Sequence, residues 1–77
     1  MNTNTPNPPK VVVAPEGCNG YLTGGKEYPV ESHDGNWDDE FGYMFNITDD
    51  TGNNCVCVEM KCGHIYKRNW IIKEREQ

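Results

Sequence analysis

Residues 41–60 read FGYMFNITDDTGNNCVCVEM, and their alternation decides the fold. Tyr43, Phe45 and Ile47 alternate with Met44, Asn46 and Thr48. Beyond a polar break, Val56, Val58 and Met60 alternate with Cys55, Cys57 and Glu59. A period of two on both flanks predicts two strands, each burying one face. The break, Asp49-Asp50-Thr51-Gly52-Asn53-Asn54, holds no apolar side chain, and Gly52 and Asn53 accept the positive φ of a tight turn. The stretch reads as a β-hairpin. Its inward residues are expected to include Phe45, Val56 and Val58, packed with Tyr28 and Val30. The cysteines then fall on the less buried face, as small, semi-apolar side chains.

Working outward, residues 10–14 (KVVVA) suit a short strand closed by Pro15. Residues 15–26 hold four glycines and Pro15, which marks a long irregular loop, with Leu22 folding back into the core. Residues 27–32 (EYPVES) place Tyr28 and Val30 on one face, with Pro29 at an edge or bulge because it has no N–H to donate. Residues 33–40 (HDGNWDDE) read as a polar connection carrying one Trp. Gly63 ends the hairpin's second strand. Ile65-Tyr66 is too short an apolar run for a full helix, so one helical turn is expected before a last strand at 70–73 (WIIK). Residues 1–9 (MNTNTPNPP) contain no apolar side chain after Met1 apart from prolines, and read as a disordered tail; residues 75–77 are expected to fray. The domain proper spans 10–74. Its five strands (10–14, 27–32, 42–48, 54–61 and 70–73) bury their apolar faces best by curling into a small all-β antiparallel barrel.

This order resembles an SH3-like barrel. More narrowly, Leu22-Thr23-Gly24-Gly25-Lys26-Glu27-Tyr28-Pro29-Val30, followed by an aromatic-rich strand and Asp49-Asp50-Thr51-Gly52-Asn53, is similar to a group of small proteins from phages and bacteria. The resemblance covers about residues 10–74 and implies the fold and a phage or prophage setting, hence a host cytoplasm. The peptide-binding eukaryotic SH3 pattern is not matched: there is no ALYDY in the first strand and no paired Trp opening the third.

Seventy-seven residues make one domain with a small core, better suited to a binding face than to a deep catalytic pocket. No apolar run is long enough for a membrane span, and no basic-then-apolar start resembles a signal peptide. A cytoplasmic location with reduced thiols is expected. Twelve Asp and Glu stand against seven Lys and Arg. Residues 27–60 carry Glu27, Glu31, Asp34, Asp38, Asp39, Glu40, Asp49, Asp50 and Glu59 with no Lys or Arg, whereas the sign reverses from Lys61. This pattern argues against free duplex nucleic acid, whose binding rests on neutralising phosphates, and for a protein partner with a basic surface. Acidic loops also keep a small β-domain soluble.

Catalysis is not expected. Cys62-Gly63-His64 has no third group to orient the imidazole, and the adjacent acids Asp38, Asp39 and Glu40 have no pocket to set one pKa apart from another. The turn at 49–54 lacks the bidentate Glu of a calcium loop. Cys55-x-Cys57-x4-Cys62-x-His64 offers zinc three thiols and an imidazole. Strand rise, however, sets Cys55 and Cys57 roughly 7 Å apart, and the C-x2-C knuckle is missing. No cofactor is therefore expected, with these four residues as the metal candidates. The aromatics point to binding. Trp37 in its acidic loop either caps the barrel or faces outward as an anchor. With Tyr21, Tyr66, Asp38, Asp39 and Glu40 it is expected to form one acidic-aromatic face. The expected function is a noncatalytic protein-binding module, a phage or prophage accessory protein. The alternatives are a zinc-stabilised adaptor or nucleic-acid-binding domain, and an oligomeric nucleotide-sequestering counter-defence barrel that meets phosphates through Lys67-Arg68.

Overall fold

The computed structural model describes residues 5–18 and 20–77. They form six strands: β1 (Pro9–Val13), β2 (Glu27–Pro29), β3 (Ser32–Asp38), β4 (Gly42–Thr48), β5 (Asn54–Val58) and β6 (Ile71–Arg75). A 3₁₀ turn, Gly63–Ile65, precedes β6. The strands pair antiparallel in two three-stranded sheets, β2-β1-β6 and β3-β4-β5.

The expected five-stranded closed barrel is corrected to two open sheets. The segment read as one strand, 27–32, divides where the chain passes from one sheet to the other. Val30 N–H donates to Lys10 of β1 at 2.9 Å, and Glu31 N–H donates to Asn46 of β4 at 2.8 Å. The polar connection is also corrected, because it is β3. Backbone pairing is indifferent to side-chain polarity, so Ser32 pairs with Asn46, His33 with Phe45, Trp37 with Tyr43 and Asp38 with Gly42. The register slips between His33 and Trp37. There Gly35 takes φ +74° and Asp34 accepts a hydrogen bond from Asn36 N–H at 3.0 Å, forming a local bulge.

The hairpin β4–β5 forms as the alternation predicts, and Tyr43, Phe45 and Ile47 are buried. Its second strand faces the other way from the expectation. Ile47 stands opposite Cys55 and Phe45 opposite Cys57, so the cysteines share the inward face and are buried. Val56 lies opposite Asn46 and is 49 % exposed, while Val58 is only partly buried. Register outranks hydrophobicity here, since a one-residue shift inverts every side chain.

The core joins both sheets. Val12, Ala14, Leu22, Tyr28, Phe45, Ile47, Ile65 and Trp70 pack with Cys55, Cys57 and Cys62. Trp70 is its hinge: the Tyr28 and Phe45 rings meet it edge-on at 6.0 and 5.8 Å between centroids.

The N-terminal boundary moves as well. Part of the expected tail, residues 1–4, lies outside the described residues. Residues 6–9, however, are tied to the sheet. Tyr43 Oη donates to Pro6 O at 2.6 Å, Arg75 to Asn7 O at 2.8 Å and Glu76 N–H to Pro8 O at 2.8 Å. Pro9 opens β1, where a strand's first residue tolerates proline. Arg75 ends β6, so the strand extends past the expected 73.

Candidate functional site

The expected single acidic-aromatic face is divided into separate places. Trp37 lines an open depression of about 250 Å³ with Phe41, Gly42, Met44, Val58, Asp34, Asn36 and Asp38. The geometry follows from local pairing. Met44 stands opposite Val58 on the outward face of the sheet, and the short β3–β4 turn brings Phe41 beside them. Trp37 sits between the two positions that the sequence left open: its ring packs edge-on to Tyr43 at 5.3 Å, and the half-buried side chain also lines the depression. Its Nε1 donates to Asp39 at 3.0 Å.

The acids carry local duties. Asp38 accepts from Glu40 N–H at 2.8 Å and Phe41 N–H at 3.0 Å, which closes the turn. Glu40 pairs with Lys61 at 3.3 Å on the surface. Phe41 and Met44, which line the same depression, were not singled out from sequence. The signal for Met44 was present, since it alternates with buried neighbours and must face outward.

Tyr21 lies elsewhere. It lines a wider depression of about 630 Å³ with His64, Cys55, Val56, Asp49, Thr51, Asn53 and Asn54. Its hydroxyl is 2.7 Å from His64 Nδ1, and the two rings meet edge-on at 5.7 Å. Burial pushes the Tyr21 phenol up from its ordinary value. Tyr66 is 63 % exposed at the end of the 3₁₀ turn, where it adopts a left-handed conformation with the Arg68 guanidinium over its ring. Arg68 itself is spent internally, bonding Ile65 O, Glu16 O and Cys18 Sγ. That leaves its guanidinium ill placed to meet a phosphate.

The hairpin turn is organised by its two acids. Asp49 accepts from Thr51 N–H, Thr51 Oγ1 and Asn53 N–H, at 2.9, 2.6 and 3.0 Å, which holds its carboxyl below the usual range. Asp50 reaches across to the glycine-rich loop. It takes Lys26 Nζ at 2.6 Å, Thr23 Oγ1 at 2.6 Å and Tyr28 Oη at 2.9 Å. Lys26 foremost, then Thr23 and Tyr28, lower its pKa to about 2.

Cys55, Cys57 and Cys62 cluster within the core. The sulfurs of Cys55 and Cys57 are 3.6 Å apart, not the separation that strand rise suggests. Rotation about χ1 turns both sulfurs toward each other from neighbouring inward positions. Cys62, one residue before the 3₁₀ turn, shares the core cluster with Cys57. The neighbouring Cys57 thiol, then the backbone N–H groups of Val58 and His64, lower the Cys62 thiol to about 5 despite burial. Cys62 and burial push Cys57 up, and burial pushes Cys55 up. Among the described residues Trp70 Nε1 has no hydrogen-bond partner, although its dipole still contributes to lowering the Cys62 thiol. A His64 ring nitrogen completes a set with Cys55 and Cys57 in which all three donor atoms lie within 4.8 Å of one another.

No family model, curated protein or solved structure matches this chain. Among the described residues no helix is long and apolar enough to cross a membrane.

Proposed function

We propose that the chain is a noncatalytic protein-binding module, a phage or prophage accessory protein, that docks a basic protein surface on the outward face of β3-β4-β5. The observation that carries this reading is the depression at Trp37. Phe41, Met44 and Val58 give it an apolar floor, while Asp34 and Asp38 give it acidic walls. Phe41 and Met44 are 37 % and 46 % exposed, more apolar surface than folding alone requires at one spot. Apolar anchors set within like charge favour a partner segment that presents an apolar tip flanked by Lys or Arg.

The resemblance of residues 22–30 and 49–53 to a group of small proteins from phages and bacteria supports the setting, though one fold hosts many functions. Four free cysteines suit a reducing compartment such as a host cytoplasm.

The test is capture of protein partners from bacterial lysate by the immobilised chain and by two variants, identified by mass spectrometry. Met44→Glu removes an anchor from the depression. Ile71→Ser alters an exposed residue on the other sheet. A partner lost by Met44→Glu, retained by Ile71→Ser and released by salt supports the reading. A partner indifferent to Met44→Glu overturns it.

A further inference from the structure

The cysteine–histidine cluster has the dimensions of a metal site. A tetrahedral zinc ion with Zn–S bonds of about 2.3 Å sets its sulfurs about 3.8 Å apart, and a Zn–N bond of about 2.0 Å sets nitrogen and sulfur slightly closer. The Cys55 and Cys57 sulfurs are 3.6 Å apart, and a His64 nitrogen is within 4.8 Å of both. Three donors of the types zinc takes therefore need to move by no more than about an ångström to share one ion.

Three further observations point the same way. The donors come from two elements, β5 and the 3₁₀ turn, that meet only because the chain reverses between them. Tyr21 Oη lies 2.7 Å from His64 Nδ1, and this contact fixes the imidazole's orientation. The two sulfurs are buried while His64 is exposed beside the wide depression, so an ion would enter from solvent and sit against a water-excluding floor.

We propose that Cys55, Cys57 and His64 bind one zinc(II) ion, with the fourth coordination position facing the depression beside Tyr21. Cys62 is buried in the same cluster, but the donor set that lies within 4.8 Å comprises Cys55, Cys57 and His64 alone among the described residues, so Cys62 stays outside the ligand set. As each Zn–S bond forms, the corresponding S–H bond breaks and its proton passes to solvent, giving two protons per ion and no change of oxidation state. The ion would staple the end of the hairpin to the 3₁₀ turn, in a domain small enough to gain from a staple.

The full chain, purified without added metal and stripped with a chelator under reducing conditions, would be titrated with zinc and, for spectroscopy, with cobalt(II). The expected result is one ion per chain, a tetrahedral cobalt spectrum with sulfur charge-transfer bands, and a raised melting temperature on zinc addition. His64→Asn changes an exposed side chain, so it keeps the fold, and it should weaken zinc binding by at least ~10-fold. Cys55→Ser should weaken it by at least ~100-fold, since losing even outer contacts costs 10–100-fold. Cys62→Ser should stay within a few-fold of the parent. The proposal fails if the parent takes up no stoichiometric zinc at micromolar concentration. It fails equally if His64→Asn binds as the parent does, or if Cys62→Ser loses the ion while His64→Asn keeps it. These outcomes are read without reference to partner capture.

Discussion

Glu59 and Asp50 are both carboxylates that tie distant parts of the chain together, yet they do so in opposite surroundings. Glu59 is 3 % exposed and receives the Arg75 guanidinium in a two-pronged pair, at 3.1 and 2.9 Å. That pair links the end of the hairpin to β6, and Arg75 continues to Asn7 O. Asp50 sits at the surface on the hairpin's turn and gathers Lys26, Thr23 and Tyr28. Both are well bonded. The difference is what replaces a lost partner: water can reach Asp50, but it cannot reach Glu59. A buried charge without its counterpart is far more costly than an exposed one.

The largest effect should follow from breaking the buried pair on one side. Arg75→Met leaves Glu59 charged, buried and alone, and should cost about 3–5 kcal/mol in urea unfolding. Replacing both partners, Glu59→Met with Arg75→Met, should recover most of that loss, because well-packed apolar groups often substitute for a buried pair without penalty. If the double variant is as unstable as the single one, the pair's geometry matters beyond its charge and the contrast with Asp50 loses its basis.

Gly42 probes the same buried site sterically. Its φ is +73°, and a Cβ there would come within 2.8 Å of Glu59 Cβ. Gly42→Ala should therefore destabilise by roughly 1–3 kcal/mol. A neutral result would mean that the Glu59 side chain yields easily, contrary to its role as a fixed anchor.

Asp50 should show its contribution through pH. Its pKa falls from the ordinary 3.8 to about 2 in the folded chain. A depressed folded pKa means that the stabilisation is present above the unfolded value and is lost as pH falls through the folded one. Melting temperatures between pH 4 and pH 2 should therefore drop more steeply for the parent than for Asp50→Asn. Parallel curves would show that Lys26 and the two hydroxyls do not favour the ionised form.

The two anchors also differ in how visible they are in the sequence. The turn at 49–54 is local: Gly52, Asn53 and the flanking alternation announce it, and Tyr43, Phe45, Ile47 and Leu22 fall inside as expected. Glu59 reads as an acid on the less buried face of the expected strand 54–61, because its burial depends on β6 arriving from sixteen residues away. The facing of β5 was hidden for a related reason. Alternation shows that Cys55 and Val56 face opposite ways but not which faces in, and the pairing with Ile47 and Phe45 decides that. β3 has no apolar alternation to read, since its sequence, SHDGNWD, is polar but for Trp37 and carries a bulge. For the site, the donor types in Cys55, Cys57 and His64 were legible. Their convergence was not, because side-chain rotation closes a gap that strand rise alone leaves open. Trp37 was recognised, but its neighbours Phe41 and Met44 come together through pairing.

The smallest effect should come from a third carboxylate, Glu40, which has neither burial nor a network. Its pair with Lys61 spans 3.3 Å between side chains that are 61 % and 58 % exposed. Water and salt screen such a pair, and ordering two long side chains offsets much of the attraction. Glu40→Gln should change unfolding stability by no more than about 0.5 kcal/mol. Its effect on partner capture is a separate matter, because Glu40 stands in the chain between Asp38 and Phe41, which both line the Trp37 depression. Measured at low salt, Glu40→Gln should slow association with a basic partner while leaving dissociation nearly unchanged, the behaviour of a rim charge that steers. A stability loss comparable to that of Arg75→Met would instead place Glu40 with the buried anchor, and exposure would no longer explain why Glu59 and Asp50 behave differently.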